Sequence, residues 1–415
     1  MAVERLEEKI IRNALIPGKG IVDLFVQGGK ITSFSNPGNR NDEAQIYDLN
    51  GWLLLPAMAE PHAHLDKALT ADQVPNPSGE LMGAIKAWIA AAEKGTFTHE
   101  NTVQRASKAM ELLLVHGVTA VRTHVNVTES IGVSSLKALA EAKEKFKGLL
   151  EVQVVALMNS PLTGPGSEGN VQALESAIEF GVDFLGGCPH LEPYPNEMIQ
   201  FMLAIAEDAG LGIDFHVDET LDAQTLTLKE LAKQSLERGF PHPLSASHCV
   251  SLGMQTETVQ IEISKLLREA NISVFTLPQT NLFLQGREHL SAMPRGLTAI
   301  RTLQEQGVLL AAGADNVRDP FNTMGRSDPF ETAALMVMAG HQTPEAAFGL
   351  VSVNAREAMG LEKAALEIGD AADFVAVDAP TLGTAIADSP MSRRVFKNGN
   401  LVASSDQRTT IFRGL

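Results

Sequence analysis

Leu53-Leu-Leu-Pro-Ala-Met-Ala-Glu-Pro-His-Ala-His-Leu-Asp-Lys67 is the stretch whose reading decides the fold. A short apolar run meets a break at Pro61, then two histidines one residue apart, His62 and His64. An apolar run of this length before a turn signal reads as a fully buried strand. Side chains at i and i+2 of a strand share a face. His62 and His64 are therefore expected side by side in one cavity at the strand's C-terminal end, where two neutral imidazoles can hold a divalent metal. Taken alone, the pair fits a surface turn equally well, so its meaning depends on the rest of the chain.

Outward from that stretch the sequence alternates. Further β-rich apolar runs lie at 118–127, 149–158, 182–187, 212–217, 244–250, 272–277 and 308–315, making eight with the opening one. Helical patterns separate them, as at 106–116, 136–146, 172–180, 197–209, 226–238 and 256–270. Strand–helix alternation implies βαβ units and a parallel sheet. Eight such units predict an α/β fold of the (β/α)8, TIM-like barrel type. A doubly wound open sheet is the alternative, but no Gly-x-Gly-x-x-Gly follows an early strand. Hairpin-like runs at 9–15, 21–26 and 30–34 mirror strand-like runs at 373–377, 394–403 (with an Asn398-Gly399 turn) and 409–412. These predict a small β-sandwich built from both termini, residues 1–57 plus 365–415, around a catalytic barrel of residues 58–364.

Composition narrows the function. Of 415 residues, 44% are hydrophobic and 20% charged, which predicts a packed core rather than disorder. A formal net charge of −17 argues against nucleic acid or an anionic membrane as partner and suits a small neutral or cationic substrate. The two cysteines, Cys188 and Cys249, suggest a reducing compartment rather than a disulfide framework. Met1–Lys9 shows no secretory h-region, and no stretch nears the roughly 18 apolar residues of a membrane span. The cytoplasm is the expected location, and a homo-oligomer is compatible with the sequence.

In a barrel of this kind the chemistry sits at the C-terminal ends of the strands. Run one ends in His62-Ala-His64, run five in His216-Val-Asp-Glu219, run six in Ser247-His248 and run eight in Asp315-Asn316. Singly, each has a plain structural reading: a satisfied core histidine, a first-turn acid (Glu219) or a cap (Asp315). Together, three imidazoles and one carboxylate, His62, His64, His216 and Asp315, make a mononuclear ligand set with a position left for water. Asp315 can then accept that water's proton. Glu219, three residues past His216, suits a proton shuttle to a substrate ring nitrogen. His248 can hold the nascent hydroxide in line.

With Glu60-Pro-His-Ala-His-Leu-Asp66, Val121-Arg-Thr-His-Val125, His216-Val-Asp-Glu219, Ala246-Ser-His248, Asn281–Arg287 and Gly313-Ala-Asp315 in order, the chain resembles the amidohydrolase superfamily, and within it the bacterial cytosine deaminase branch. The resemblance implies one divalent ion, Zn or Fe, on His62, His64, His216 and Asp315, with Glu219 and His248 catalytic. Two-metal members carry a bridging lysine at the end of strand four, and residues 182–190 have none. On the substrate side the resemblance implicates Lys67, His124, Asn159, Asn316 and Phe321. Asn159 stands where the branch is expected to have glutamine, Asn316 where it has a second aspartate, Phe321 where it has tryptophan and Asn126 where it has aspartate. Lys67 is shared with isopropylammelide amidohydrolase-like relatives, which act on triazines but lack the glutamate of His-x-x-Glu. The resemblance therefore implies a hydrolytic deaminase of an amino-substituted N-heterocycle, a cytosine-like base or a larger ring, with a cyclic-amide or N-alkylamine (triazine-type) amidohydrolase as the alternative.

Overall fold

The computed structural model describes residues 8–38 and 44–412. The reading of Met1–Lys9 therefore falls largely outside the described residues. Sixteen strands occur among those described: β1 Lys9–Ile16, β2 Gly20–Gln27, β3 Lys30–Ser35, β4 Gln45–Asp48, β5 Leu53–Pro56, β6 Met58–Ala63, β7 Val118–Val127, β8 Glu151–Met158, β9 Phe184–Gly186, β10 Gly212–Val217, β11 Leu244–His248, β12 Ile272–Thr276, β13 Leu310–Ala312, β14 Phe374–Val377, β15 Arg393–Lys397 and β16 Asn400–Ser405.

Strands β6 to β13 pair with their sequence neighbours in one eight-stranded sheet, parallel at every step. The ring is completed where Ala63 bridges Asp315 in parallel fashion and the Asp315 N–H donates to the His62 carbonyl at 3.1 Å. The expected α/β barrel is thus present. Helices such as His99–Val115, Pro195–Ala209 and Glu257–Glu269 return the chain between strands, and one apolar cluster joins their inner faces to the sheet.

The remaining strands form a second sheet drawn from both termini, ordered β16-β15-β14-β5-β1-β2-β3 with β4 on β1. Its strands are joined in one hydrogen-bonded path that encloses a core of its own, with Ile11, Leu24, Val26, Ile31, Leu54, Phe374 and Phe396 in it. Thr409–Phe412 carries no strand, and the sheet ends at Ser405.

The run from Leu53 to His64 is divided between the two sheets, not the single strand expected from sequence. β5 pairs antiparallel with β14, and after Ala57 the chain enters the barrel as β6. The division explains the unbroken apolarity. Leu53 and Leu55 pack into the barrel cluster and Leu54 into the core of the small sheet, so β5 is buried on both faces. β14 does the same, with Val375 and Val377 on one side and Phe374 and Ala376 on the other. Pro61 lies inside β6 rather than ending it. Proline has no N–H for the ladder, and the register with β7 shifts between Glu60 and Ala63. Among the described residues no helix is long and apolar enough to cross a membrane.

Candidate metal centre

Four strand ends deliver the side chains. β6 brings His62 and, just past its end, His64; β10 brings His216; β11 ends on His248; and Asp315 follows β13. All are at most 6% exposed. His62 Nε2 and His64 Nε2 each lie 3.1 Å from His216 Nε2. Asp315 Oδ1 lies 3.1 Å from His64 Nε2 and 3.6 Å from His62 Nε2. Donors about 2.0–2.2 Å from a tetrahedral zinc stand roughly 3.4 Å apart, so the spacing fits one ion.

The hydrogen bonds behind the rings fix which nitrogens face inward. His64 Nδ1 meets the His124 carbonyl at 3.2 Å. A carbonyl only accepts, so Nδ1 carries the proton and Nε2 presents a lone pair. His62 Nδ1 meets Ser247 Oγ at 2.8 Å, and that hydroxyl donates onward to Asp214 Oδ1 at 3.3 Å. His62 Nδ1 is therefore the donor and its Nε2 is bare as well. Asp214 is in turn held by the fully buried Arg122, whose Nη1 donates at 2.8 Å. Bare nitrogens thus converge on a buried carboxylate oxygen, Asp315 Oδ1, that has no hydrogen-bond partner of its own. Such a cluster repels itself unless a cation lies between its members. Burial and mutual proximity hold His62, His64 and His216 well below the ordinary histidine pKa, so they are neutral, as ligands must be. The donor set fits a divalent ion.

Backbone strain marks the same place. His248 and Asp315 have φ of 69° and 66°, in the left-handed region, a conformation that costs on the order of 1–3 kcal/mol and survives only where the surroundings impose it. Around Asp315 they do. Both oxygens of Glu60 accept from the Ala314 N–H, at 3.0 and 3.1 Å, and one also accepts from the His62 N–H. Glu60 so ties β6 to the chain after β13 where two candidate ligands leave their strands.

Glu219 and His248 stand at the edge of the cluster, with His248 near enough to His62 and Asp315 that those three also form a group able to hold an ion. Asn281 Nδ2 donates to His248 Nδ1 at 3.0 Å and to Glu219 Oε1 at 3.4 Å. His248 therefore carries its proton on Nε2, which lies 3.8 Å from Asp315 Oδ2. Burial, then the charge of Asp315, raises the Glu219 carboxyl well above the usual range. Burial likewise lifts Asp315 to about 6, opposed by His248 and Lys67. Asp218, between His216 and Glu219, turns away. It accepts from the N–H groups of Thr227 and Leu228 and caps helix Thr227–Arg238.

A cavity of about 750 Å³ opens over this floor. Of the expected substrate-side residues, Lys67, Asn159, Asn316 and Phe321 line it. Lys67 Nζ lies 4.6 Å from the Phe321 ring centre, and Asn316 Nδ2 donates to Asp319 Oδ2 at 2.6 Å. His124 is not among the lining residues, contrary to the expected substrate contact. Fully buried, it stacks under His62 with ring centres 3.9 Å apart, because the residue that alternation places inward on β7 lies below the rim. Asn281, Ser247 and Glu60 were not among the expected site residues, although each falls inside or beside a quoted motif. Only Glu60 carried a signal, a carboxylate in the otherwise apolar run before His62.

The chain is similar to proteins of known activity over nearly its whole length. It is 28% identical over 414 residues to a pterin deaminase of Rhizobium rhizogenes, spanning 95% of this chain and 94% of that one. It is 25% identical to an N-isopropylammelide isopropyl amidohydrolase of a Pseudomonas species, over 96% of this chain and 97% of that one. The crystal structure of 5-methylcytosine deaminase from Klebsiella pneumoniae with 5-fluorocytosine superposes with a TM-score of 0.86 at 27% identity, over 97% of this chain and 99% of that one. The model of the Amidohydrolase family matches residues 98–403, and with the closed barrel and the buried His/His/Asp cluster at its strand ends, the chain belongs to the amidohydrolase family, with a cytosine deaminase-like resemblance.

Proposed function

We propose that the protein is a mononuclear metal-dependent deaminase that hydrolyses the exocyclic C–N bond of an amino-substituted N-heterocycle, replacing the amine with oxygen from water and releasing ammonia. The observation that carries this reading is the Asn281 bridge, which holds Glu219 and His248 together at the edge of a ligand set facing one cavity. Zinc or iron, held by His62, His64, His216 and Asp315, supplies Lewis-acid activation of water at neutral pH. Asp315, through Oδ2, takes the proton of the attacking water. Glu219 delivers its proton to the ring nitrogen next to the reacting carbon; the proton held by Asp315 then passes to the departing amine, and Glu219 recovers a proton from the new hydroxyl as the oxo product forms. His248 donates through Nε2 and keeps the attacking oxygen in line. Fixed donors of this kind, aimed where charge develops, need no reorganisation during reaction.

The substrate is a small heterocycle bound within residues 58–364, and the charge of −17 disfavours nucleic acid. Cytoplasmic residence, with or without self-association, is part of the same reading. An amide arm at Asn159 is one methylene shorter than glutamine and leaves room over a pyrimidine, so a bulkier ring is the better fit. A site built to hydrogen-bond one ring edge rejects analogues lacking it by ~10⁴–10⁵. Steady-state comparison of cytosine with 5-substituted cytosines, isoguanine and pterins tests this, and cytosine as the best substrate by kcat/KM would overturn it. Lys67 at the cavity wall supports a second reading, release of an alkylamine from a triazine-type ring, which product analysis separates by amine against ammonia.

A further inference from the structure

The cavity has a polar floor and an apolar outer wall. Its volume of about 750 Å³ lies in the upper part of the range for pockets that take drug-sized ligands, roughly 300–1,000 Å³, and exceeds what a bare aminopyrimidine fills. The reaction proposed above uses only the floor, where His216, Glu219, His248 and Asp315 are at most 6% exposed. One side of the remainder is helix Leu81–Glu93. Leu81, Ile85, Trp88 and Ile89 line the cavity from it, at spacings that put them on one stripe. Ile131 and Leu191 also line the cavity. Ile89 is 44% and Leu191 38% exposed, so these apolar side chains continue from the interior out to the mouth. An apolar stripe that shares one cavity with a reaction floor marks a binding surface, and the ligand that reaches both is the substrate. Glu93 and Glu129 line the same cavity and oppose an anionic group there.

We propose that this wall is an apolar subsite, and that the substrate is an amino-heterocycle whose ring carries a neutral alkyl or aryl arm lying along helix Leu81–Glu93. This rests on the deaminase reading for the identity of the ring, but the subsite can be tested without turnover. The chain has two tryptophans, Trp52 and Trp88, so in the metal-loaded W52F protein Trp88 alone reports from the cavity wall. Pyrimidin-2-one and its 5-butyl derivative lack the amine and are not turned over, and each is titrated against Trp88 fluorescence. The butyl arm should tighten Kd by ~10-fold or more, at about 0.8 kcal/mol for each buried methylene. Adding Ile85→Asp, or Ile89→Asp at the more exposed position, should bring the ratio of the two Kd values close to one. Equal Kd values in the W52F protein, or a ratio that survives both aspartate variants, would overturn the subsite. Ammonia release from cytosine and 5-butylcytosine is followed in parallel. A retained Kd ratio supports the subsite whether or not ammonia appears, whereas the absence of ammonia counts against the deaminase reading alone.

Discussion

Glu219 and His248 owe their placement to one amide, Asn281, which donates to both. As a shuttle, Glu219 should be expendable for metal binding and not for turnover. Glu219→Gln is expected to keep the metal and the fold while lowering kcat by about 10²–10⁴; near-native turnover would remove the role, and metal loss would make Glu219 a ligand. His248→Asn should likewise retain metal and lose most of its turnover, as elemental analysis alongside steady-state assay can show, while stoichiometric metal loss would move His248 into the ligand set. The histidines and Asp315 were legible in the sequence because strand-end position fixes where a side chain points. Their partners were less so. The Ser247–Asp214–Arg122 chain behind His62 joins residues on different strands, and the Asn281 bridge joins a helix to two strand ends; such pairings arise only once the barrel closes. His124 shows the converse: the resemblance put it on the substrate side, but its depth under His62 keeps it off the cavity wall.

At the level of elements, the terminal sheet is pinned to a helix of the barrel by a buried ion pair. Arg393 on β15 donates to both oxygens of Asp328, at 3.0 and 2.7 Å, and to the His116 carbonyl. Asp328 also caps helix Pro329–Met338 through the Phe330 N–H. Burial pushes the Asp328 carboxyl up, but the Arg393 charge and its hydrogen bonds outweigh that and hold it below its usual range. Arg393→Met strands a buried carboxylate and should cost about 3–5 kcal/mol in urea unfolding. A folded pKa below the unfolded value of about 3.9 means that the stabilisation is present above that pH and lost as pH falls through the folded pKa. The acid-side decline in Tm should therefore be shallower in Asp328→Asn than in the wild type, and an unchanged slope would contradict the pair's role. Several return helices were legible from their apolar period, among them Pro195–Ala209 and Thr227–Arg238. Helix Leu81–Glu93 was not. It has no side-chain cap at Glu80, and its cavity stripe and core stripe together leave little polar face to set a period. The division of residues 53–64 between two sheets was hidden for a related reason, since a strand buried on both faces reads the same as one running on into the next.

At the scale of the molecule, the barrel is closed by the same contacts that build the centre: Glu60 to Ala314, Ala63 to Asp315, and His62 to the Asp315 N–H. Fold and site are therefore one construction, which is why the eight-run alternation and the strand-end residues pointed the same way. The identity of the ring was not legible, because it depends on the cavity walls, and these come from loops and a helix that the alternation does not describe. The most direct test follows ammonia from a heterocyclic amine, such as a 5-substituted cytosine or a pterin, while metal-stripped protein is reloaded with zinc or iron. Ammonia should appear in equal amount to the oxo product, with activity rising to a plateau at one metal per chain. Full turnover without metal, a plateau only at two, or no ammonia from any ring amine would contradict the mononuclear deaminase.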